Sequence, residues 1–359
     1  MHFGLTEEQD LLQAMVREFL AKELPPPRLR KVFDEGTGFD GALWRGAAGI
    51  GLQGLLVPER YGGAGLELLD QALVFEVFGE GAMPGPFLSH ALATLALLRG
   101  GSEEQKERWL PRLASGEAIA SVAIGEAGEV WAPDTWKVGM EHGAVSGNKR
   151  LVEYAEGADL LVVGLRGGEL ALVESGASGL ACAATAGVDR TRSLGEVRFE
   201  ETPAELLPKG REAAPALLDA GCILLAADAF GAASKLIRLT VDYVLTREQF
   251  GTPIAQFQAV KHHLADLLTD TEPMRGLFWY AGHAFDHLPE QLPREAAFAK
   301  AHITDRAVDV GRGAVELHGG IGFTWECDVQ FWVKRSMFDR AWLGTPRLHR
   351  ERIASLGDW

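Results

Sequence analysis

A thirty-residue stretch, residues 217–246, contains almost no helix breaker apart from Gly221 and Gly231. Apolar residues recur within it at the spacing of a helix, at Ile223, Leu224, Ala227, Phe230 and Ala233. The stretch therefore predicts one long helix. Three or four further helices follow it and end near Ala354.

The first 118 residues also have a helical pattern. Thr6 and Gln9 form a capping box in front of an amphipathic run, and three prolines at 25–27 end that helix. Ser102, with Gln105 three residues later, starts another helix. Glycines and a proline make residues 55–66 a loop.

The character of the sequence changes near Ala118. Short β-like runs separated by glycine-rich turns follow, at residues 120–124, 160–164, 170–173 and 196–199. We therefore predict an α+β chain of three parts: an N-terminal helical domain (1–118), a small antiparallel β-barrel or sandwich (119–212) and a C-terminal helical bundle (213–359). A length of 359 residues fits two or three such subdomains.

Composition excludes several classes of protein. A hydrophobic content of 47% fits a soluble globular protein, and the sequence has no run of 18 apolar residues that would span a membrane. The N-terminus lacks the pattern of a signal peptide, and Cys182, Cys222 and Cys327 are scattered, so we expect a cytoplasmic protein. A net charge of −15 argues against nucleic acid as a partner. His262, His263 and His318 lack a third ligand at useful spacing, so we predict no metal site.

Two separated segments carry the chemistry. They read REQFGTPIAQFQ at 247–258 and ELHGGIGFTWE at 316–326. Arg247 offers a forked cation and Gln258 an amide, while Gly319 and Gly320 permit a close backbone approach, as the phosphates of a nucleotide require. These segments, with GLLVPE at 54–59 and GSEEQKERWLP at 101–111, resemble the acyl-CoA dehydrogenase family. That family has the same order of helices, small sheet domain and helical bundle.

The resemblance implies an FAD enzyme that introduces a double bond between Cα and Cβ of an acyl-CoA thioester. In that family the two segments hold FAD, largely that of a neighbouring subunit. The residues implied to contact the cofactor are Arg247, Gln249, Phe250, Ile254, Phe257, Gln258, Glu316, Gly319 and Gly320. Glu316 departs from the family, which usually has glutamine there, and a carboxylate beside a pyrophosphate is repulsive unless it is protonated or turned away.

The segments that contact the flavin ring in the family are altered here. The family's Thr-Glu-Pro-x-Ala-Gly-Ser-Asp loop becomes GEAGEVW at 125–131, and its Trp-Ile-Thr-Asn segment becomes LVEY at 151–154. The threonines, the serine and the tryptophan are gone, and acidic groups stand near the expected ring. This chain's own ring pocket is therefore in question.

The family's catalytic glutamate is also missing. Its two known positions correspond to Leu343 and Gly221, neither of which can accept the α-proton. Asp219 and Asp228 are the nearest carboxylates. For each of them, an ordinary helix carboxylate or a member of a buried ion pair is a simpler interpretation than a catalytic base. We predict no catalytic residue in this chain. The sequence contains two basic pairs, Arg190 with Arg192 and Lys334 with Arg335. They could contact CoA phosphates, but solvated surface charge is the simpler interpretation.

A chain that lacks the base but keeps the FAD segments resembles the β-type subunit of bacterial α2β2 acyl-CoA dehydrogenases. Those enzymes act on steroid side chains. The resemblance implies an acyl-CoA substrate, a non-identical dehydrogenase subunit and an electron-transferring flavoprotein as partners. Two alternatives stay open: a self-sufficient homotetrameric dehydrogenase with an unlocated base, and a non-catalytic relative that binds acyl-CoA or a partner. Apolar runs at 223–230 and 331–333 favour association through the bundle.

Overall fold

Along the chain, helices precede and follow a set of β-strands in the computed structural model, which describes residues 4–128 and 131–357. The helices before the strands are α1 (Glu7–Glu23), α2 (Pro26–Glu35), α3 (Gly41–Gly49), α4 (Leu68–Gly81), α5 (Phe87–Gly100) and α6 (Glu103–Ala114). Those after the central strands are α7 (Gly210–Thr246), α8 (Gln258–Thr271), α9 (Met274–His287), α10 (Leu292–His318), α11 (Val329–Ala341) and α12 (Pro346–Leu356). The predicted α+β class and order of elements are confirmed.

Both predicted helix starts are capping boxes. The Thr6 hydroxyl accepts the Gln9 N–H at 3.2 Å, and the Gln9 side chain accepts the Thr6 N–H at 3.1 Å. Ser102 and Gln105 make the same reciprocal pair at the start of α6. Each box satisfies two backbone donors that a helix N-terminus otherwise leaves open.

Within the described residues, the strands form two four-stranded sheets and a short hairpin. Their bounds are β1 (Ala120–Ala123), β2 (Gly139–Glu141), β3 (Ala144–Glu153), β4 (Leu160–Leu165), β5 (Glu169–Glu174), β6 (Leu180–Thr185), β7 (Leu194–Pro203), β8 (Glu205–Leu206), β9 (Glu248–Gln249) and β10 (Thr252–Pro253). One sheet has the order β1-β4-β5-β8 and the other β2-β3-β7-β6, while β9 pairs with β10.

Side chains from both large sheets share one core. Val145, Val152 and Val197 of one sheet pack with Leu161 and Val173 of the other, all almost fully buried. Of the predicted alternatives, barrel or sandwich, the structure shows a sandwich. It is not wholly antiparallel, because β1 pairs with β4 in parallel.

The chain divides into two compact units that do not follow sequence order. One comprises Met1–Arg30, Ala72–Met83 and Cys222–Trp359, and the other Lys31–Gln71 and Pro84–Gly221. Within the first, α4 crosses α7 at two glycines. A Cβ on Gly79 would lie 1.9 Å from the Asp228 carbonyl oxygen, and one on Gly231 would lie 1.9 Å from that of Glu76. Only glycine allows two backbones so close.

The long helix is seven residues longer at its start than predicted, because α7 begins at Gly210. It is long and apolar enough to cross a membrane, but 89% of its apolar window is buried inside the protein. The apolar run at 223–230 is likewise buried in this chain, with Phe230 at 0% exposure, and in the run at 331–333 Phe331 and Trp332 are buried while Val333 is half-buried. These runs therefore do not support the association with a partner that the sequence predicted. A contiguous apolar stretch has the same sequence pattern whether it packs inside the chain or against another chain.

Candidate functional site

Two side chains join the ends of α7 and α10. The Tyr243 hydroxyl donates to the His318 carbonyl at 3.2 Å, and the two rings stack with centroids 4.4 Å apart. Arg247 follows Tyr243 by one helical turn, and Gly319 directly follows His318. The two segments singled out from the sequence are therefore held together at one end of the helical bundle.

The first segment begins with the β9–β10 hairpin. Its two-residue turn is Phe250 and Gly251, with φ of 55° and 77°. Two positive φ values are the pattern of a type I′ turn, which normally takes Asn-Gly. Phe250 is 92% exposed at the tip, although such a conformation is unfavourable for a phenylalanine. Among the described residues Phe250 makes one ring contact, with Phe257, and the rest of its side chain faces solvent.

Arg247 and Gln258 offer polar groups beside this hairpin. The Arg247 backbone is fixed, donating to the Tyr243 carbonyl and accepting the Ile254 N–H, both at 2.8 Å. Its guanidinium is exposed, and no described residue makes an ion pair or hydrogen bond with it. Gln258 is the first residue of α8, an exposed helix start at which Phe257 gives no side-chain cap. The Val260 N–H donates to the Phe257 carbonyl at 3.1 Å, which leaves the N–H groups of Gln258 and Ala259 without a hydrogen-bond partner among the described residues. Two such N–H groups and a forked cation suit an anion.

Of the other residues in this segment, the Gln249 amide turns back and donates to the Glu248 carbonyl at 2.8 Å. Ile254 is half-buried, and Phe257 meets Phe250 edge to face with centroids 6.1 Å apart. The aromatic pair therefore forms an apolar wall next to the polar groups of Arg247 and Gln258.

The second segment contributes an open backbone. Gly319, at φ 64° and ψ −144°, ends α10 in a conformation that L-residues rarely adopt. At Gly320 the backbone is ordinary, and an added Cβ would meet no atom within 4 Å. Nothing described in this chain requires glycine at 320, so its missing side chain leaves room for something outside the chain.

Glu316 is exposed on the last turn of α10, and its backbone carbonyl accepts the Gly319 N–H. A carboxylate at a helix C-terminus adds to the negative end of the helix dipole. The groups that suit an anion here are therefore Arg247 and the backbone near the glycines rather than the Glu316 side chain.

Glu126, in the first altered ring segment, is bound inside the chain. Its carboxylate accepts from the Lys149 ammonium at 2.7 Å and from the backbone N–H groups of Lys137 and Val138 at 3.0 and 3.1 Å. Burial acts to raise the pKa of Glu126, but these donors outweigh it and hold the pKa below its ordinary value. Burial lowers the pKa of Lys149 to about 8 against the opposing pull of Glu126. Glu129 and Val130 of this segment lie outside the described residues.

The second ring segment is bound internally as well. Glu153 is fully buried, accepts the Ser89 N–H at 2.9 Å and lies 3.6 Å from the Arg192 guanidinium. Leu151 and Tyr154 both have φ of 55°, so the backbone around Glu153 is also unusual. The two described acidic groups of these segments, Glu126 and Glu153, thus belong to buried ion pairs. Sequence reasoning missed Lys149, whose only signal is a charged residue in a strand of otherwise alternating character.

Neither family base position carries a titratable group. Leu343 is fully buried with φ of 59°, and its carbonyl accepts from His349 Nε2 at 2.9 Å. Gly221 lies within α7. Asp228 forms the buried ion pair that the sequence left open, with both carboxylate oxygens 3.0 Å from Arg335 Nε. Asp219 is buried at 2% exposure.

The two basic pairs are not the solvated surface charge that the sequence favoured. Arg335 and Arg192 are each only 2% exposed at the side chain, in the ion pairs described above. Arg190 donates to the Asp34 carbonyl at 2.7 Å, and Lys334 donates to Gln330 at 2.7 Å. Their structural partners explain these cations without a CoA phosphate.

Comparison with known proteins identifies the family. Residues 6–117 match the family model for the acyl-CoA dehydrogenase N-terminal domain, and residues 208–356 match that for the C-terminal domain. Acyl-CoA dehydrogenase IpdE2 of Mycobacterium tuberculosis is 32% identical over 350 residues, 97% of this chain and 97% of that protein. The chain belongs to the acyl-CoA dehydrogenase family. Its members are FAD-dependent oxidoreductases acting on CH–CH bonds.

Solved structures with the acyl-CoA dehydrogenase fold are also similar to this chain over almost its whole length. A variant of the Tcur3481–Tcur3483 steroid ACAD has a TM-score of 0.89 and 31% identity, covering 98% of this chain and 97% of that one. The ChsE4–ChsE5 complex from Mycobacterium tuberculosis has a TM-score of 0.90 and 27% identity, covering 99% and 98%. Acryloyl-CoA reductase (NADH) of Anaerotignum propionicum is 29% identical over 379 residues, 99% of this chain and 95% of that protein.

The end of the bundle fits part of FAD. An unpartnered guanidinium, an uncapped helix start and a glycine whose absent Cβ leaves open space suit the pyrophosphate. An exposed aromatic wall at Phe250 and Phe257 suits an apolar ring or a protein surface. The described parts of the two altered ring segments do not fit the isoalloxazine in the same way, because Glu126 and Glu153 already serve internal ion pairs.

Proposed function

We propose that this chain is the base-lacking subunit of a heteromeric FAD-dependent acyl-CoA dehydrogenase. It lends its FAD cradle, by which we mean Arg247, Gln249, Phe250, Ile254, Phe257, Gln258, Glu316, Gly319 and Gly320, to the cofactor of a non-identical subunit. The observation that carries the proposal is an exposed Arg247 guanidinium, with no partner among the described residues, in a chain whose base positions are Leu343 and Gly221.

The chemistry divides between the two subunits. Bound FAD would supply the acceptor for the β-hydride of the thioester while a base removes the α-proton. In this chain Arg247 and the α8 N-terminus would hold the pyrophosphate, and the open backbone at Gly320 would leave room for it. The leucine at 343 takes no proton, so the α-proton goes to a glutamate of the partner subunit. An electron-transferring flavoprotein, as resemblance implies, then reoxidises the assembly.

We propose a bulky or steroid-type acyl-CoA as substrate and the cytoplasm as location. The support is similarity to the Tcur3481–Tcur3483 steroid ACAD and to the ChsE4–ChsE5 complex, both of which pair two differently named chains. The three unpaired cysteines, Cys182, Cys222 and Cys327, fit a reducing compartment and support the location.

Purification of the chain alone and with the product of an adjacent dehydrogenase gene tests the proposal. We expect a colourless chain alone, and a yellow, active α2β2 assembly with the partner, by visible spectrum, solution mass and dye reduction with short, long and steroidal CoA thioesters. General-base assistance contributes about 10²–10⁴-fold, so the missing base should be plain in the isolated chain.

Two other outcomes correspond to the alternatives. A flavin-loaded homotetramer with turnover abolished by Asp219→Asn would establish a self-sufficient dehydrogenase. A chain that acquires no flavin with any neighbouring subunit would leave a non-catalytic relative.

A further inference from the structure

The turn that follows α10 presents apolar side chains to solvent. Residues 319–323 form a 3₁₀ turn, and a loop to Asp328 leads into α11. Ile321, Phe323 and Trp325 are 49%, 82% and 46% exposed. Because apolar groups in water gain by collapsing onto the nearest apolar surface, this loop needs anchors to keep them outward.

The loop is internally connected to the two glycines. Thr324 donates from both its N–H and its hydroxyl to the Ile321 carbonyl at 3.0 Å. Gly322 packs under α10, where a Cβ would lie 2.7 Å from the Val315 carbonyl oxygen. The two Thr324 hydrogen bonds therefore connect residues 324–328 directly to the turn at 319–323.

Arg30, on α2, holds the far end of this loop from 295 residues away in sequence. Its guanidinium donates to the Trp325 carbonyl at 2.6 Å and to the Glu326 carbonyl at 3.0 Å, and it is ion-paired with Asp328. Its Cζ also lies 4.6 Å from the centroid of the Phe331 ring. The two carbonyls and the carboxylate accept from the N–H donors of one planar guanidinium. A lysine ammonium cannot reproduce this geometry.

Two side chains of α11 complete the anchor. Gln330 donates to the Trp325 carbonyl, and the Lys334 ammonium lies 4.2 Å over the Trp325 ring. The Trp325 carbonyl thus receives two donors while the indole stays half-exposed. A surface fixed before binding loses less entropy when a ligand or partner arrives.

We propose that Arg30 is a positioning residue for the FAD cradle: it fixes residues 324–328 and, through them, the backbone at Gly319 and Gly320. This role rests on the proposed function, since the cradle serves the cofactor of the assembled enzyme. The described contacts of Arg30 are to the loop and to Phe331 rather than to any cradle residue.

Thiol labelling of the full-length chain tests the anchor without any cofactor. Cys327 lies inside the anchored loop and is partly exposed, whereas Cys222 is fully buried in the core. In a Cys182→Ser background, Cys327 reports opening of the loop and Cys222 reports global opening. We expect Arg30→Met to raise the Cys327 labelling rate at least tenfold and Arg30→Lys to give an intermediate rise. The Cys222 rate should stay within twofold.

Arg28→Met is the matched control, because Arg28 lies on the same helix and donates to the Glu23 carbonyl at 2.7 Å instead of to the loop. It should leave the Cys327 rate within twofold of wild type. In the assembled enzyme, Arg30→Met should raise the FAD dissociation constant at least tenfold with the KM for acyl-CoA unchanged, and Arg28→Met should not.

Three results would overturn the inference: a Cys327 rate unaffected by Arg30→Met, equal increases at Cys327 and Cys222, or a local increase without weaker FAD binding. If the wild-type assembly binds no FAD, the proposed function fails and the cofactor role of Arg30 fails with it. The thiol rates still decide whether Arg30 anchors the loop.

Discussion

Replacing Phe250 by asparagine should stabilise the isolated chain against unfolding and weaken its binding to the partner subunit. Phe250 is 92% exposed and has a φ of 55° in a turn whose preferred sequence is Asn-Gly. Asparagine tolerates that conformation, whereas phenylalanine pays about 1–2 kcal/mol for it. We therefore expect Phe250→Asn to stabilise the chain alone by up to about 1 kcal/mol.

The same change should weaken the assembly. Complete burial of a phenylalanine side chain contributes about 1.5–3 kcal/mol, and almost all of the Phe250 surface is available to be buried. At about 1.4 kcal/mol for each factor of ten, its loss corresponds to about 10- to 150-fold in affinity for the partner subunit with FAD present. The hairpin itself should persist, since its strand pairs are backbone contacts.

Urea denaturation of the chain alone and titration of the FAD-containing partner subunit measure the two effects. Val188→Asn is the control, because it removes another exposed apolar residue, 53% exposed, outside the cradle. A destabilised isolated chain would contradict the turn argument. An affinity equal to that of Val188→Asn would show that Phe250 lies outside the interface.

Other substitutions and pH changes give further tests. Arg247→Ala should weaken FAD retention in the assembled enzyme by about 1.5–3 kcal/mol, the range for a charge-assisted hydrogen bond, and flavin content compared with wild type checks this. Asp228→Asn should lower the free energy of unfolding by about 3–5 kcal/mol, because it leaves the buried Arg335 guanidinium without its counter-charge; a shift below 1 kcal/mol in urea would refute this. Burial lowers the pKa of His90 to about 4 and that of His349 to about 3 from an ordinary 6.5. As the pH falls below 6.5, these histidines take up protons in the unfolded chain before they do so in the folded chain. The free energy of unfolding should therefore be constant above pH 6.5 and should fall below it, by about 2 kcal/mol per histidine at pH 5. His349→Gln should remove its share of that slope.

Local signals were sufficient for much of the fold. The capping boxes at Thr6 and Ser102 act within three residues, so the sequence alone identifies them. The strands β4 and β5 are apolar runs bounded by turns and were predicted within a residue or two. The positions of the cradle residues came from a contiguous motif.

Contacts distant in sequence were not predictable. Glu126 and Lys149 are 23 residues apart, and nothing local indicates that the carboxylate pairs with that ammonium. Arg30 lies 295 residues from Trp325. The burial of residues 223–230 could not be told from an exposed interface, because periodicity reports that a face is covered and not which chain covers it.

The crossing of α4 and α7 limits how such chains can exchange parts. Residues 72–83 belong to the same compact unit as residues 222–359, with Gly79 and Gly231 admitting no side chain at the crossing. Glu76 of α4 also accepts from Gln13 and Arg275, at 2.9 and 2.7 Å. A recombination breakpoint between the N- and C-terminal halves of two related genes would therefore divide one core between two ancestries. Paralogous subunits that diverge after duplication must then inherit α1, α4 and the bundle together, which favours specialisation of whole genes over the shuffling of domains.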